Sequence, residues 1–138
     1  MRNPELAADY VRRAAVRLRA LDVLFDGQCW ADVVRESQEV VELALKGLLR
    51  AHGVAPPRIH DMSAVLIAER EKLPTAVQMH VEQLAAVSKD LRRDLELAFY
   101  GTEDLTPSNF YDQADAERAR AAAAFTVRTV EPAVLGTR

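Results

Sequence analysis

The clearest pattern in the chain is an apolar repeat over residues 30–51, in which aliphatic residues return every three or four positions. This spacing is that of a helix with one buried face. The apolar set is Val33, Val34, Val40, Val41, Ala44, Leu45, Leu48 and Leu49, and the opposite polar set is Arg35, Glu36, Glu39, Glu42, Lys46 and Arg50. The helix is predicted to end near His52, because Gly53 suits a left-handed cap and Pro56 and Pro57 cannot continue a helical ladder.

The same rhythm predicts a helix before this segment and a short one after it. The first covers residues 4–25, with Asn3 as its cap. Its inward positions are predicted to be Leu6, Tyr10, Ala14, Leu18, Leu21 and Phe25. The short third helix is predicted to begin near Asp61 or Ser63 and to stop before Pro74, since proline interrupts helical hydrogen bonding.

Two more long helices are predicted over residues 75–100 and 111–132. The inward positions of the fourth are Val77, Val81, Leu84, Ser88, Leu91, Leu95 and Ala98, with the alternating spacing of helices in bundles. Four long helices with mostly short connections favour an all-α, up-and-down antiparallel four-helix bundle, with the short helix across one end. We expect a single domain over residues 1–138, of which residues 132–138 form a frayed tail.

Composition agrees with a helical domain. The chain has 138 residues, of which 49% are hydrophobic but only 6% aromatic, so alanine, leucine and valine must fill the core. No segment alternates as a strand would. The net charge of −3 argues against a surface built throughout to hold nucleic acid, because phosphate binding needs local positive charge. A local basic patch remains compatible with that value.

Candidate chemistry outside the helices is sparse. Cys29 is the only cysteine, so no intramolecular disulfide can form. The chain has no signal peptide and no apolar run of membrane-spanning length, so a soluble, cytoplasmic protein is expected. The three histidines are scattered and no Glu-x-x-His pair occurs, so we predict neither a metal site nor a cofactor.

Three segments carry a family resemblance. The run RESQEVVELALKGLLRAHGVAPPRIHDMSAVL, residues 35–66, resembles the second helix and following loop of HEPN-domain proteins. The later RRDLELAFYG and YDQADAERA resemble the end of the fourth helix and the start of the fifth in the same family. The similarity extends over residues 10–125, nearly the whole domain.

The resemblance implies helical dimers and, in the ribonuclease members, an arginine followed after four to six residues by a histidine. Some toxins of the family extend this motif with a tyrosine two residues later. On this chain the arginine falls on Arg93 and the tyrosine on Tyr100, but the histidine position is occupied by Ala98. Arg93 and Tyr100 are therefore the candidate catalytic residues, in a motif that lacks its histidine.

This departure matters because RNA cleavage through the 2′-hydroxyl needs a group that accepts its proton and another that protonates the leaving oxygen. Arg93 can bind phosphate, but Ala98 cannot transfer a proton. His80 lies thirteen residues before Arg93, about 20 Å along a helix. His60 has a carboxylate beside it and is the other candidate for contacting nucleotide or RNA.

Each candidate also has a structural interpretation. Asp61 would cap the third helix while His60 packs in the loop. Arg93 would form a salt bridge within the chain or with a partner subunit. Tyr100 would end its helix with a buried ring. Basic residues of the last two long helices form either a basic strip or an ordinary solvated face. They are Lys89, Arg92, Arg93, Arg118, Arg120 and Arg128.

Three functions remain open from the sequence. The first is a HEPN protein of a toxin–antitoxin-like module that acts on or binds RNA or nucleotide with a nucleotidyltransferase partner. The second is a non-catalytic dimeric bundle that binds nucleotide or RNA through Arg93 without cutting it. The third is a purely protein-interaction module. A homodimer is expected in each case, because the length and apolar regularity of the fourth helix exceed what a small monomer needs.

Overall fold

The computed structural model describes residues 4–58, 61–100 and 111–136, with the side chains of residues 92–100 outside that description. The helices are α1 (Pro4–Asp26), α2 (Trp30–Ala51), α3 (Ser63–Ala68), α4 (Thr75–Gln78), α5 (Val81–Tyr100) and α6 (Gln113–Leu135), with a 3-10 turn at Arg70–Lys72. No strand occurs in these ranges. The predicted all-α helical bundle is confirmed.

Helix α2 lies at the centre of the bundle and packs against α1, α5 and α6. Its predicted polar face is therefore only partly exposed: Arg35 and Glu39 reach solvent, whereas the side chain of Glu42 is 8% exposed and bonds Lys46 Nζ at 2.8 Å. The prediction of one buried face was wrong on this point. An amphipathic pattern shows which side is most apolar, not how many neighbours surround the helix.

Helix α1 packs against α2 at an unusually close approach around Gly47. A Cβ atom at this glycine would lie 2.6 Å from Cγ2 of Val11 and 2.9 Å from the carbonyl oxygen of Ala7. The fully buried positions of α1 are Ala7, Val11, Ala14 and Leu21, whereas the predicted Leu6, Tyr10, Leu18 and Phe25 are only partly buried. The prediction was thus correct for Ala14 and Leu21, whereas the close approach at Gly47 lies over Ala7 and Val11, which were not predicted to face inward.

Helices α1 and α2 end in the same hydrogen-bonding pattern. After α2, Val54 N–H donates to Leu49 O at 2.9 Å and Gly53 N–H to Arg50 O at 3.3 Å, with φ of 78° at Gly53. This Schellman pattern confirms the predicted end of α2. After α1, the left-handed residue is Gln28, with φ of 60°, rather than a glycine.

The predicted fourth helix is interrupted. Helix α4 ends at Gln78, and α5 begins at Val81 after a turn in which His80 N–H donates to Val77 O at 2.8 Å. The Gln78 side chain donates to Leu73 O at 2.7 Å, which ties α4 to the preceding turn. Neither proline nor glycine marks this break, so periodicity alone predicted one continuous helix. The predicted inward positions from Val77 to Leu91 are buried, and those at residues 95 and 98 lie outside the described side chains.

Helix α6 begins at a capping box. The Asp112 carboxylate accepts Asp115 N–H at 2.9 Å, and the Asp115 carboxylate accepts Asp112 N–H at 3.0 Å. The helix continues through Pro132 to Leu135, three residues past the predicted end. Because proline has no N–H, the helix loses one backbone hydrogen bond at Pro132, yet its last turn continues to Leu135.

Candidate functional site

The residues that carry the motif all belong to α5. Arg93, Ala98 and Tyr100 lie in the second half of this helix, and seven residues, close to two turns, separate Arg93 from Tyr100. At the helical rise this separation is about 10 Å, with both Cα atoms on the same side of the helix. The side chains of Arg93 and Tyr100, and the whole of His60, lie outside the described residues.

A cleft between α5 and α6 opens immediately before this segment. The α5–α6 cleft has a volume of about 410 Å³ and is lined by Val87, Asp90, Leu91, Tyr111, Asp115, Arg118, Ala119 and Ala122. Arg93 is two residues beyond Leu91, the last lining residue of α5. The cleft is therefore the described concave surface that adjoins the motif.

The two charged side chains that α6 contributes to the α5–α6 cleft have opposite charges and form an ion pair. Arg118 forms an ion pair with Asp115, and Asp90 stands exposed on α5. The pKa of Asp112 is lowered from its ordinary value, first because the carboxylate accepts the backbone N–H of Asp115 and further because Arg118 is near. The described wall thus offers no surplus of positive charge, and a phosphate bound here would need cations from the adjoining part of α5.

Two histidines have structural roles away from the motif. His80 precedes α5 and meets the Phe125 ring edge to face, with ring centroids 5.6 Å apart. His52 follows α2, and its Nδ1 lies 2.8 Å from Leu48 O. Because His80 is thirteen residues from Arg93, about 20 Å along a helix, it is too distant to share a phosphate with Arg93 within one chain.

Asp61 bonds the backbone at the start of α3, although the N-cap residue is Met62 and not Asp61 as predicted. Its Oδ1 accepts the backbone N–H of Ser63 at 2.8 Å, at the first residue of α3. The following Met62 N–H donates to the buried Ser88 Oγ at 2.8 Å, which fixes the start of α3 against α5. The carboxylate thus helps to fix the backbone at the start of α3.

The arginines of α6 are mostly engaged within the chain. Arg120 bonds Asp22 Oδ1 at 3.2 Å, and its guanidinium lies 3.8 Å from the centroid of the Phe25 ring. Arg118 is paired with Asp115. Arg128 is exposed and lines a cavity together with Phe125. The structural interpretation therefore holds for two of the three arginines on α6, and the basic-strip hypothesis loses most of its support there.

Sequence analysis missed the outer face of α1. Arg12, Arg13, Arg17 and Arg19 fall within eight residues, and two exposed valines lie among and beyond them. The cluster of arginines on one helix was the signal that could have revealed this face. The outer face was not predicted, because the apolar pattern was used only to find the buried positions of α1.

Among residues 4–58, 61–100 and 111–136, no three His, Cys, Asp or Glu side chains group as a metal site requires. Within the same ranges, no helix is both long enough and apolar enough to cross a membrane.

Comparison with known proteins gives two matches. A family model described as "HEPN domain" matches residues 7–132, nearly the entire chain. The crystal structure of TT1696 from Thermus thermophilus superposes with a TM-score of 0.75 and 25% sequence identity, over 91% of this chain and 95% of that one. A search of curated proteins found no match.

Proposed function

Because the chain belongs to the HEPN-domain family, we propose that it is one half of a toxin–antitoxin-like module that binds RNA or nucleotide together with a nucleotidyltransferase partner. The family gives the general class, nucleotide- and RNA-related function. The observation that carries the specific proposal is the position of Arg93 and Tyr100, two turns apart on one side of α5.

Arg93 is the phosphate-binding group in this proposal. A guanidinium stays protonated at any physiological pH and binds phosphate through two parallel hydrogen bonds. The described wall of the α5–α6 cleft supplies little positive charge, because Arg118 is paired with Asp115. Replacing Arg93 should therefore weaken binding of RNA or nucleotide. His60 is proposed as a second contact, and its substitution by Ala tests that role in the same titration.

Ala98 argues for binding without cleavage by the chain alone. At the position where ribonucleases of the family have histidine, a methyl group can neither accept the 2′-hydroxyl proton nor protonate the leaving oxygen. The second candidate function, a non-catalytic dimeric bundle that binds RNA or nucleotide, rests on this residue. Ala98→His is the informative gain-of-function variant: if only the histidine is missing, it should create cleavage that depends on Arg93.

Tyr100 is the proposed acceptor of a modifying nucleotide. In such a transfer the phenolic oxygen bonds to the α-phosphorus of a nucleoside triphosphate, pyrophosphate departs, and the phenolic proton passes to a base of the transferase. Co-expression with nucleotidyltransferases from neighbouring genes, followed by intact-mass measurement, tests this step. A nucleotidyl adduct on the native chain and none on Tyr100→Phe would support it, whereas no complex and no adduct would refute the two-gene proposal.

A homodimer is proposed as the working form. Light scattering of the purified protein should give the mass of two chains. A monomer that binds RNA equally well would remove the dimer from the proposal without removing Arg93. A dimer that binds no RNA or nucleotide, and that acquires no adduct, would instead leave the protein-interaction function.

A further inference from the structure

The outer face of α1 combines free arginines with exposed valines along one line. We define the α1 stripe as Arg12, Val16, Arg19 and Val23, spaced by four, three and four residues. This spacing keeps all four on one side of the helix, over about 16 Å of its length. Val16 and Val23 are 56% and 74% exposed, respectively. Helix α1 packs against α2 and α6 on its other sides, and Arg12, at one end of the stripe, also lines a cavity with Glu131 and Leu135 of α6.

The α1 stripe holds unbalanced positive charge. Arg12 and Arg19 form no ion pair within the described part of the chain. The nearby carboxylates are engaged, since Asp9 lies 3.8 Å from Arg13 and Asp22 bonds Arg120. Carboxylates without an ion pair among the described residues lie near the ends of the stripe, at Glu5 and Asp26 of α1 and at Glu131 of α6, which lines a cavity with Arg12. A cationic face on a chain with net charge −3 is thus a local feature.

The same face is apolar between its charges. A shallow groove of about 260 Å³ is lined by Arg12, Arg13, Val16 and Arg17, so the aliphatic stems of three arginines surround one valine. Arg17 is fixed by a 2.8 Å bond to Glu36 of α2, which orders one wall of the groove. Arginine stems over apolar surface are characteristic of protein interfaces, where arginine is enriched and lysine depleted.

We propose that the α1 stripe docks an acidic amphipathic helix of a partner protein. Aliphatic side chains of that helix would contact Val16 and Val23, and its carboxylates would pair with Arg12 and Arg19. The repeat of four, three and four residues matches the spacing at which a helix presents one face to another. Charge complementarity identifies the partner face as acidic and the valines identify it as partly apolar.

A second copy of this chain is a poorer occupant. A two-fold antiparallel pairing of α1 helices about the middle of the stripe would set Arg12 of one copy against Val23 of the other, and Val16 against Arg19. Four arginines would then lie in one interface with no stripe carboxylate to pair them, which opposes association. The proposed homodimer therefore uses another face.

RNA is also a poorer occupant. Single-stranded RNA binding usually combines positive charge with aromatic rings on which bases stack. The aromatic residues of α1, Tyr10 and Phe25, are packed against the core and lie under Arg50 and Arg120 rather than on the stripe. Covering Val16 and Val23 with a phosphate backbone would gain no apolar contact.

The test uses a fluorescein-labelled synthetic peptide of about 20 residues, long enough for several helical turns, with leucine at helical spacing and glutamate on both flanks. A scrambled peptide of the same composition and a labelled single-stranded RNA are the comparison probes. The stripe variants are Arg12→Glu/Arg19→Glu and Val16→Ser/Val23→Ser. Matched controls are Arg128→Glu and Ile67→Ser, an exposed arginine and an exposed aliphatic residue elsewhere.

The patterned peptide should bind the native protein, more weakly as salt is raised, and at least tenfold more weakly to both stripe variants. The controls should bind as the native protein does. A peptide with lysine in place of glutamate should bind the Arg12→Glu/Arg19→Glu variant and not the native chain, because the charges are then exchanged. Circular dichroism establishes that each variant is folded.

Three results would overturn this proposal: no binding of the patterned peptide, equal binding of the scrambled peptide, or RNA binding that is lost with the stripe arginines. The first two results leave the function proposed above untouched, because it depends on Arg93 of α5. The third would instead place the RNA-binding surface on α1. Conversely, loss of RNA binding in Arg93→Ala would not contradict the proposed docking of a partner helix on the α1 stripe.

Discussion

At the scale of single residues, Gly47 determines how closely α1 and α2 approach. Gly47→Ala would place a Cβ 2.9 Å from the carbonyl oxygen of Ala7, which is backbone and cannot rotate away. Overpacking of this kind costs about 1–3 kcal/mol, while alanine gains about 1 kcal/mol of helix propensity. We expect a net loss of unfolding free energy in urea denaturation.

The matched control is Gly27→Ala, where the nearest non-neighbouring atom would be 3.5 Å from the new Cβ. That substitution should change stability little. If Gly47→Ala proves as stable as the native chain while Gly27→Ala is neutral, the close approach of α1 and α2 is not as described.

Gln38 is a buried amide that lacks a hydrogen-bond partner. It is fully buried on α2, and neither Nε2 nor Oε1 meets a polar atom among the described residues. An unpaired buried amide costs about 1–3 kcal/mol. Gln38→Met keeps a similar length without the polar atoms, so the unfolding free energy should rise by about 1–2 kcal/mol.

Gln78→Met is the control for that prediction. The Gln78 amide donates to Leu73 O at 2.7 Å, so its removal should lower the unfolding free energy by about 1 kcal/mol. The same Gln→Met change is thus expected to raise the unfolding free energy at residue 38 and to lower it at residue 78. Destabilisation by Gln38→Met would mean that its amide has a partner in the folded protein.

At the scale of helices and their ends, Gln28 occupies a conformation that favours glycine. Gln28 has a φ of 60°, and the backbone hydrogen bonds around it after α1 match those around Gly53 after α2. A left-handed residue with a Cβ costs about 1 kcal/mol relative to glycine. Gln28→Gly should therefore raise the midpoint of thermal unfolding, and Gly53→Ala should lower it. A lower midpoint for Gln28→Gly would contradict the described end of α1.

The start of α6 should depend on the charge of Asp112. Because its pKa is lowered in the folded chain, the ionised carboxylate favours folding above the ordinary value of 3.8, and this contribution disappears as pH falls through the lowered folded pKa. Asp112→Asn should reduce the thermal midpoint at pH near 7. Its difference from the native chain should shrink by pH about 2, where both side chains are uncharged. A difference that is independent of pH would contradict the charge-based explanation.

The helices were predictable from sequence to the extent that local patterns determine them. Gly53 and the following prolines marked the end of α2, and apolar spacing gave the buried positions of α5 from Val81 to Leu91. The break before α5 was not predictable, since it depends on Gln78 bonding Leu73 and His80 packing on Phe125. Those contacts form only in the folded chain.

At the scale of the whole molecule, the helical bundle was predictable from the sequence, whereas which helix faces lie at its surface was not. The motif on α5 was located by resemblance, because Arg93 and Tyr100 are chemically distinctive. The α1 stripe was missed, since which side of α1 faces solvent depends on where α2 and α6 pack. The proposed RNA site and the proposed docking face thus lie on different helices, which makes them separately testable.

The most direct test of the central claim is a titration of labelled single-stranded RNA with the native protein, Arg93→Ala and Arg128→Ala, with RNA integrity and light scattering recorded on the same samples. The account predicts a dimer that binds without cutting, at least tenfold weaker binding by Arg93→Ala, and unchanged binding by Arg128→Ala. Equal binding by the native protein and Arg93→Ala would contradict it, and so would the absence of binding altogether.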